Sequence, residues 1–276
     1  MLILISSAKT MQPSVAKAAF PATVGCSSRR KAAWQQTVAN AGELAVPPFD
    51  AEAQYILRQL AAYSAEELAS MLRLTPRMAH DARMRLTYAV SPQSMPLPAL
   101  CAYDGVVFRH IDVAHFSVAD WQYAARHLCI ASSCYGLLGP ADAVKPYRSE
   151  YDVELPAIGC SLGRFWRDRL TDYLIGRVAE SGGVLLDLAA HDVRQSLHWD
   201  RICRQVRVIT PDFKLLQDDS LRTVVVYLKQ ARGAMVRHII KERIDTPEAL
   251  QMLTVDGFEF SPERSGESDY CYIMRV

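Results

Sequence analysis

The chain has 276 residues, 50% of them hydrophobic and 22% charged, with a formal net charge of +1. That is an ordinary globular composition, long enough for one large domain or two small ones, and a near-neutral charge excludes any global attraction for nucleic acid. Seven cysteines, an odd number with no C-x-x-C pair, point to a reduced cytoplasmic protein rather than a disulfide framework, and no apolar run approaches a membrane span.

Met1-Leu-Ile-Leu-Ile5 is apolar for five residues without a basic leader, so residues 2–5 read as a short buried strand rather than a signal peptide. It ends in Ser6-Ser7-Ala8-Lys9-Thr10. A lysine flanked by hydroxyls just past a first strand suits an anionic group, although the glycines of a Walker loop are missing. Residues 11–31 read as irregular, with a basic tip at Arg29-Arg30-Lys31. Residues 32–63 read as helical, interrupted at Pro47-Pro48, with Asp50 capping a helix over 51–63.

Ser64-Ala-Glu-Glu67 is a capping box, and Thr75-Pro76 opens a second helix that runs through Leu86. The pair carries Arg73, Arg77, Arg83 and Arg85. Such a pair can hold a phosphate backbone, and it reads equally well as a helical hairpin with solvated arginines. Residues 91–99 form a connector, Pro98–Tyr103 a strand, and Asp104-Gly105 a tight turn. Val106-Val-Phe108 is again apolar and ends at Arg109 and His110. Residues 117–127 form an amphipathic helix capped by Ser117.

Leu128–Ala131 reads as a buried strand that breaks into a polar loop holding Ser133, Cys134, Tyr135, Asp142, Lys145, Tyr147, Arg148 and Glu150. Strand ends of this kind are where α/β and α+β proteins keep their sites. A helix follows from Phe165-Trp166 to about 180. Val184–Leu188 is a buried strand ending in Ala189-Ala190-His191-Asp192, and 206–210 is another. Residues 219–243 read as the longest helix, with a core stripe at Leu221, Val224, Leu228, Met235 and Ile239. Arg222 and Lys229 fall opposite it, and Arg232 and Arg237 on its shoulders. Gly233 in mid-helix costs about 1 kcal/mol relative to alanine, so something is expected to pack or bind close to it. Thr246-Pro247 caps a last short helix, and Gly257–Phe260 with Tyr270–Ile273 close the chain as a hairpin. The fold class is α/β (mixed α+β): one compact domain with a central mixed sheet surrounded by helices.

The order of motifs resembles the YaaA family of peroxide-stress proteins. The pieces that carry the resemblance are Leu2–Thr10, Tyr103–Arg109, Tyr135–Asp142, Pro146–Arg148, Phe165-Trp166, Tyr227–Arg237, Gly257–Phe260 and Ser265, which together run the length of the chain. The resemblance implies a single domain over 1–276, with residues 64–86 as a helix-hairpin-helix-like insertion, and a cytoplasmic protein with a basic cleft. It also implies binding of double-stranded DNA and protection from iron-linked oxidative damage. The sequence departs from the family pattern at Ser7, Ser133, Cys134, Gly139, Ser149, Asp187, His191 and Asp192, which marks a divergent member.

Two chemistries follow. In the first, Arg73, Arg77, Arg83 and Arg237, with Lys229 and Arg232, bind DNA phosphates, with affinity that falls steeply with salt. In the second, Lys9, Thr10, Arg109, Lys145, Arg148, Lys229 and Arg232 bind a small anionic or nucleotide-like substrate. There Lys9, Ser133, Tyr135, Tyr147 and Glu150 would be the catalytic set, aided by Asp142 and His191, in an enzyme of biosynthetic setting. Cys134, beside Tyr135, reads as a buried structural thiol sooner than as a nucleophile or redox thiol. His191 and His198 lie seven apart without a recognised ligand spacing, and no metal or cofactor is assigned.

Overall fold

The computed structural model describes residues 1–12, 35–218 and 220–275, so the basic tip at Arg29–Lys31 lies outside the described residues. The strands in chain order are β1 (Leu2–Ser6), β2 (Leu97–Pro98), β3 (Leu128–Ser132), β4 (Gly136–Leu138), β5 (Ala143–Val144), β6 (Glu154–Leu155), β7 (Cys160–Ser161), β8 (Val184–Asp187), β9 (Arg207–Gln217), β10 (Ser220–Arg222), β11 (Glu259–Phe260) and β12 (Asp269–Arg275). Eight of them form one mixed sheet in the order β11-β12-β9-β8-β1-β3-β4, with β10 also paired to β9. The inner strands β12, β9, β8, β1 and β3 are parallel to their neighbours, and β11, β10 and β4 are antiparallel. β2 with β5 and β6 with β7 make two small ribbons.

This order explains the apolar runs. β1 and β3 are buried almost throughout, as expected of parallel strands covered by helices on both faces. The chain leaves β1 for β3 on one side and later returns to β8 on the other. The carboxyl ends of β1, β3 and β8 therefore diverge, which creates the crevice where open α/β sheets bind ligands. The loops that leave this edge are Ser6–Thr10, Ser133–Tyr135 and Leu188–Asp192.

Helix starts follow their caps. Ser64 and Ser117 form full capping boxes with Glu67 and Asp120, and Thr75, Ser161 and Thr246 each accept a backbone N–H of the first turn. The helices Ala65–Met71 and Pro76–Ala89 are joined by a short turn in which Arg73 takes a left-handed backbone, φ 53°. The closing hairpin forms as β11 and β12.

Several expected elements differ. Pro98–Tyr103 is not a strand; after the two residues of β2 the chain turns helical at Ala99–Ala102, and Val106–Ile111 is also a helix. Both stretches are apolar but too short for periodicity to separate strand from helix. The helix expected over 219–243 runs only from Val225 to Glu242, and the one over Leu162–Glu180 is longer. Leu221 belongs to β10, and Val224, Val225 and Val226 are exposed, so the core stripe begins only with Leu228. The β-branched run resists helix, and β10 is built instead by pairing back on β9.

Gly233 has the close neighbour its position called for. A Cβ there would stand 2.2 Å from the Val107 carbonyl oxygen and 2.8 Å from His110 Cβ, so the Val225–Glu242 and Val106–Ile111 helices touch backbone to backbone. Nearby, Asp120 is buried and ion-paired to Lys241 at 2.7 Å and Arg243 at 2.8 Å. Burial alone would raise its pKa, but the Lys241, Ser117 and Arg243 bonds bring it well below the ordinary range.

Candidate functional site

The polar loop after β3 is built from the strand end outward. Ser132 pairs with Gly136 across three loop residues, and Gly136 has a φ of 72°, the left-handed conformation that glycine supplies in such hairpins. Ser132 Oγ accepts the backbone N–H groups of Cys134 (3.2 Å) and Tyr135 (2.9 Å). Beneath the turn, Trp166 Nε1 donates to the Ser133 carbonyl at 2.8 Å. That bond satisfies the indole while its apolar body is buried, worth about 1.5–3 kcal/mol for a large side chain.

The hydroxyls of the loop face inward. Tyr147 Oη lies 2.7 Å from Ser132 Oγ and 3.0 Å from Tyr103 Oη, and Tyr135 Oη accepts the Lys145 backbone N–H at 3.0 Å. Tyr135 is 0% exposed and Tyr147 4%. Burial raises the Tyr147 phenol to about 12 and pushes Tyr103 and Tyr135 up as well. Ser133 Oγ bonds Ser149 Oγ at 2.9 Å, both buried. Cys134 is fully buried and its thiol is raised by burial, in keeping with a structural role. These residues fix the strand end in place.

Arg148 and Glu150 of the same loop turn toward the loop after β1. Glu150 pairs with Lys9, and its other oxygen lies 3.5 Å from Arg148 Nη2. Arg148 also donates to the Lys9 carbonyl at 2.8 Å, which ties the 147–150 segment to the loop after β1. A recess of about 140 Å³ opens here, lined by Lys9, Thr10 and Arg148 and by Leu74, Met78, Asp81, Ala82 and Arg85 of the helical hairpin. Two guanidinium groups meet in it. Burial lowers the pKa of Arg85, Asp81 raises it, and Arg148 lowers it again. Among the described residues Arg85 donates only to the Met11 carbonyl, at 3.3 Å. Arg148 Nε is sealed from solvent and has no partner among the described residues.

Lys9, Thr10 and Arg148 line the recess, with Glu150 paired to Lys9 and Arg148, while Arg109, Lys145, Lys229 and Arg232 are not among its lining residues. Arg109 pairs with Asp104 at 3.2 Å, Lys145 is half-buried outside the recess, and Lys229 and Arg232 sit on the Val225–Glu242 helix. Of the arginines expected to face DNA, Arg73 pairs with Asp152, Arg83 donates to the Tyr63 carbonyl at 2.6 Å, and Arg237 pairs with Asp256 at 3.0 Å. Arg77 is exposed. Asp142 closes the 139–142 turn by accepting the Gly139 N–H at 2.8 Å, and burial raises its carboxyl to about 6. His191 is exposed, and His198 Nε2 lies 2.6 Å from Asp168. Among the described residues no three His, Cys, Asp or Glu side chains are grouped to hold a metal.

Arg85 and Asp81 were not among the expected site residues. The signal was legible all the same: Met78, Asp81, Ala82 and Arg85 are spaced by three, four and seven on the Pro76–Ala89 helix and therefore share one face. Only the folded position of that face shows that it turns toward Lys9.

This arrangement, a switch-point crevice flanked by a helical hairpin, comes with an unambiguous lineage. The model of the peroxide stress protein YaaA family matches residues 1–264, and this chain belongs to that family. A UPF0246 protein of Bacteroides fragilis is 38% identical over 273 residues, 99% of this chain and 98% of its own. UPF0246 proteins of Bacteroides thetaiotaomicron (37% over 274 residues, 99% of this chain and 98% of its own) and Rickettsia felis (31% over 274 residues, 99% of each) are similar along the same length.

Proposed function

We propose that this protein serves in peroxide stress, in the cytoplasm, by holding a small phosphate-bearing ligand in the recess between Lys9, Arg85 and Arg148. The observation that carries this reading is the meeting of Arg85 and Arg148, with Arg148 Nε buried and unpartnered. The Arg85 guanidinium, disfavoured by burial and by the Arg148 charge beside it, is stabilised by an anion placed between the two, and their forked donors match phosphate oxygens. Counting the lining charges with Glu150, Lys9, Arg85 and Arg148 stand against Asp81 and Glu150, which leaves one positive charge for the ligand to neutralise. Leu74 and Met78 give the recess an apolar side for the body of the molecule.

Double-stranded DNA is the second reading, favoured by Arg77 lying exposed on the same helix as Arg85. It has less support, because Arg73, Arg83 and Arg237 already have acceptors of their own. Under either reading the consequence is protection from iron-linked oxidative damage. The two separate in one screen. Thermal shifts with ADP and pyrophosphate are expected in the wild type and reduced in Arg85→Gln, with no gel shift of duplex DNA at low salt. A low-salt DNA shift abolished by Arg77→Ala, with no response to ADP or pyrophosphate, would reverse the order of the readings.

A further inference from the structure

Arg232 is the cation that the Lys9 recess leaves unexplained. It lies on the Val225–Glu242 helix immediately before Gly233, so the backbone contact at Val107 fixes its position. Burial lowers its pKa, the charges of Asp187 and Asp212 raise it, and that of Arg194 lowers it; Asp187 ends β8 and Asp212 lies on β9, against which the Val225–Glu242 helix packs. These groups stand where β8 ends and β9 runs on past it, the opposite flank of the crevice from Arg148.

Each carboxylate there already has its own cation. Asp187, 2% exposed, accepts from Arg194 Nη2 at 2.9 Å and from the Ala189 N–H at 3.1 Å. Asp212 pairs with Lys214 at 2.8 Å, and Lys214 also donates to Thr223 Oγ1 at 2.7 Å. Arg232 is the charge left over. Among the described residues it makes no hydrogen bond, and its Nε is closed to solvent. Only its Nε is shut away from solvent, and a half-buried guanidinium with no acceptor among the described residues is stabilised by an anion that reaches its free donors. The two carboxylates hold the arginine charged without bonding to it, so its donors remain available. Lys229, three residues earlier on the same helix and exposed, adds a second positive charge beside it.

We infer that Arg232, with Lys229 beside it, forms a second oxyanion site at the sheet's carboxyl edge, one that receives a carboxylate or phosphate group. The site does not depend on the Lys9 recess. A bidentate fork from Arg232 would hold the oxyanion, with Arg194 and Lys214 offsetting Asp187 and Asp212 behind it.

The test removes the first site and then asks for the second. In full-length Lys9→Ala/Arg85→Gln protein, binding of inorganic phosphate and of acetate is measured by calorimetry, before and after adding Arg232→Gln. The inference expects saturable binding of at least one of the two anions, weakened at least tenfold by Arg232→Gln and partly restored by Arg232→Lys. The anion that binds more tightly tells phosphate from carboxylate. It also expects Arg232→Gln alone to melt, in anion-free buffer, no lower than the wild type, since no hydrogen bond or ion pair among the described residues is lost. No binding in the double variant, binding unaffected by Arg232→Gln, or a melting temperature lowered by several degrees would overturn it; the last result would make Arg232 a structural counter-charge. Anion binding by the wild type that Lys9→Ala/Arg85→Gln leaves unchanged speaks against the Lys9 recess and leaves this site standing.

Discussion

The two flanks of the crevice solve the same problem differently. Where β1 and β3 end, most polar groups are satisfied within the chain and Arg148 Nε is not: Ser132 serves two backbone amides and Tyr147, and Glu150 takes Lys9 and Arg148. Where β8 ends, the ion pairs are complete without Arg232, whose guanidinium is left over. The first flank is a scaffold with a small basic recess on its surface, and the second is a scaffold with a cation to spare. Burial and pairing, rather than residue type, therefore decide which polar residues are available to a ligand. Tyr135, Tyr147 and Ser133 look like chemistry in the sequence and are structure in the fold, whereas Arg85 looks like a solvated helix residue and lines the recess.

The comparison is most easily broken on the β8 flank. Gly233→Ala would gain about 1 kcal/mol of helix propensity, yet its Cβ would stand 2.2 Å from a carbonyl oxygen that belongs to backbone. The clash dominates, and a net loss of about 3 kcal/mol in denaturant unfolding is expected. Unchanged stability would mean that the two helices separate freely and that Arg232 is not fixed in place.

On the β3 flank the expected effect is smaller. Tyr147→Phe removes the hydroxyl shared by Ser132 and Tyr103 and leaves both without that partner, at a cost of about 1–2 kcal/mol. Because Tyr147 is assigned to the scaffold, ligand binding per folded molecule is expected to be unaltered. A stable variant that no longer binds ligand would return Tyr147 to the functional set.

The third prediction concerns pH. The native Asp142 carboxyl keeps its proton up to about 6, against an ordinary value of 3.8. Between these values the native state binds more protons than the unfolded one, so its contribution to stability falls as pH rises. The change is roughly 1–3 kcal/mol across that window. Asp142→Asn, whose amide oxygen can still accept the Gly139 N–H, is expected to flatten this part of the stability profile. A profile identical to wild type would show that Asp142 is ionised throughout.

How much was legible beforehand follows from the physics of each element. Caps at Ser64, Thr75 and Ser117 are local hydrogen-bond motifs, and they formed as the sequence indicated. β1 and β3 were plain as apolar runs, and Gly233 announced a close approach by its cost. Ala99–Ala102 was misassigned as a strand, and the apolar Val106–Phe108 did not show itself as a helix, because a four- to six-residue apolar run carries no usable period. Lys9, Arg148 and Glu150 could be grouped because they sit at strand ends. That Arg85 lines the recess and Arg109, Lys229 and Arg232 do not depends on how helices pack, which no local pattern encodes.

The claim that carries the account is that Arg85 and Arg148 hold a phosphate between them, and calorimetric titration with pyrophosphate tests it most directly. The wild type is expected to bind one equivalent in the recess, and Arg85→Gln, which keeps its fold and loses one of the two forks, to bind at least tenfold more weakly. Equal affinity in the wild type and in well-folded Arg85→Gln would contradict it.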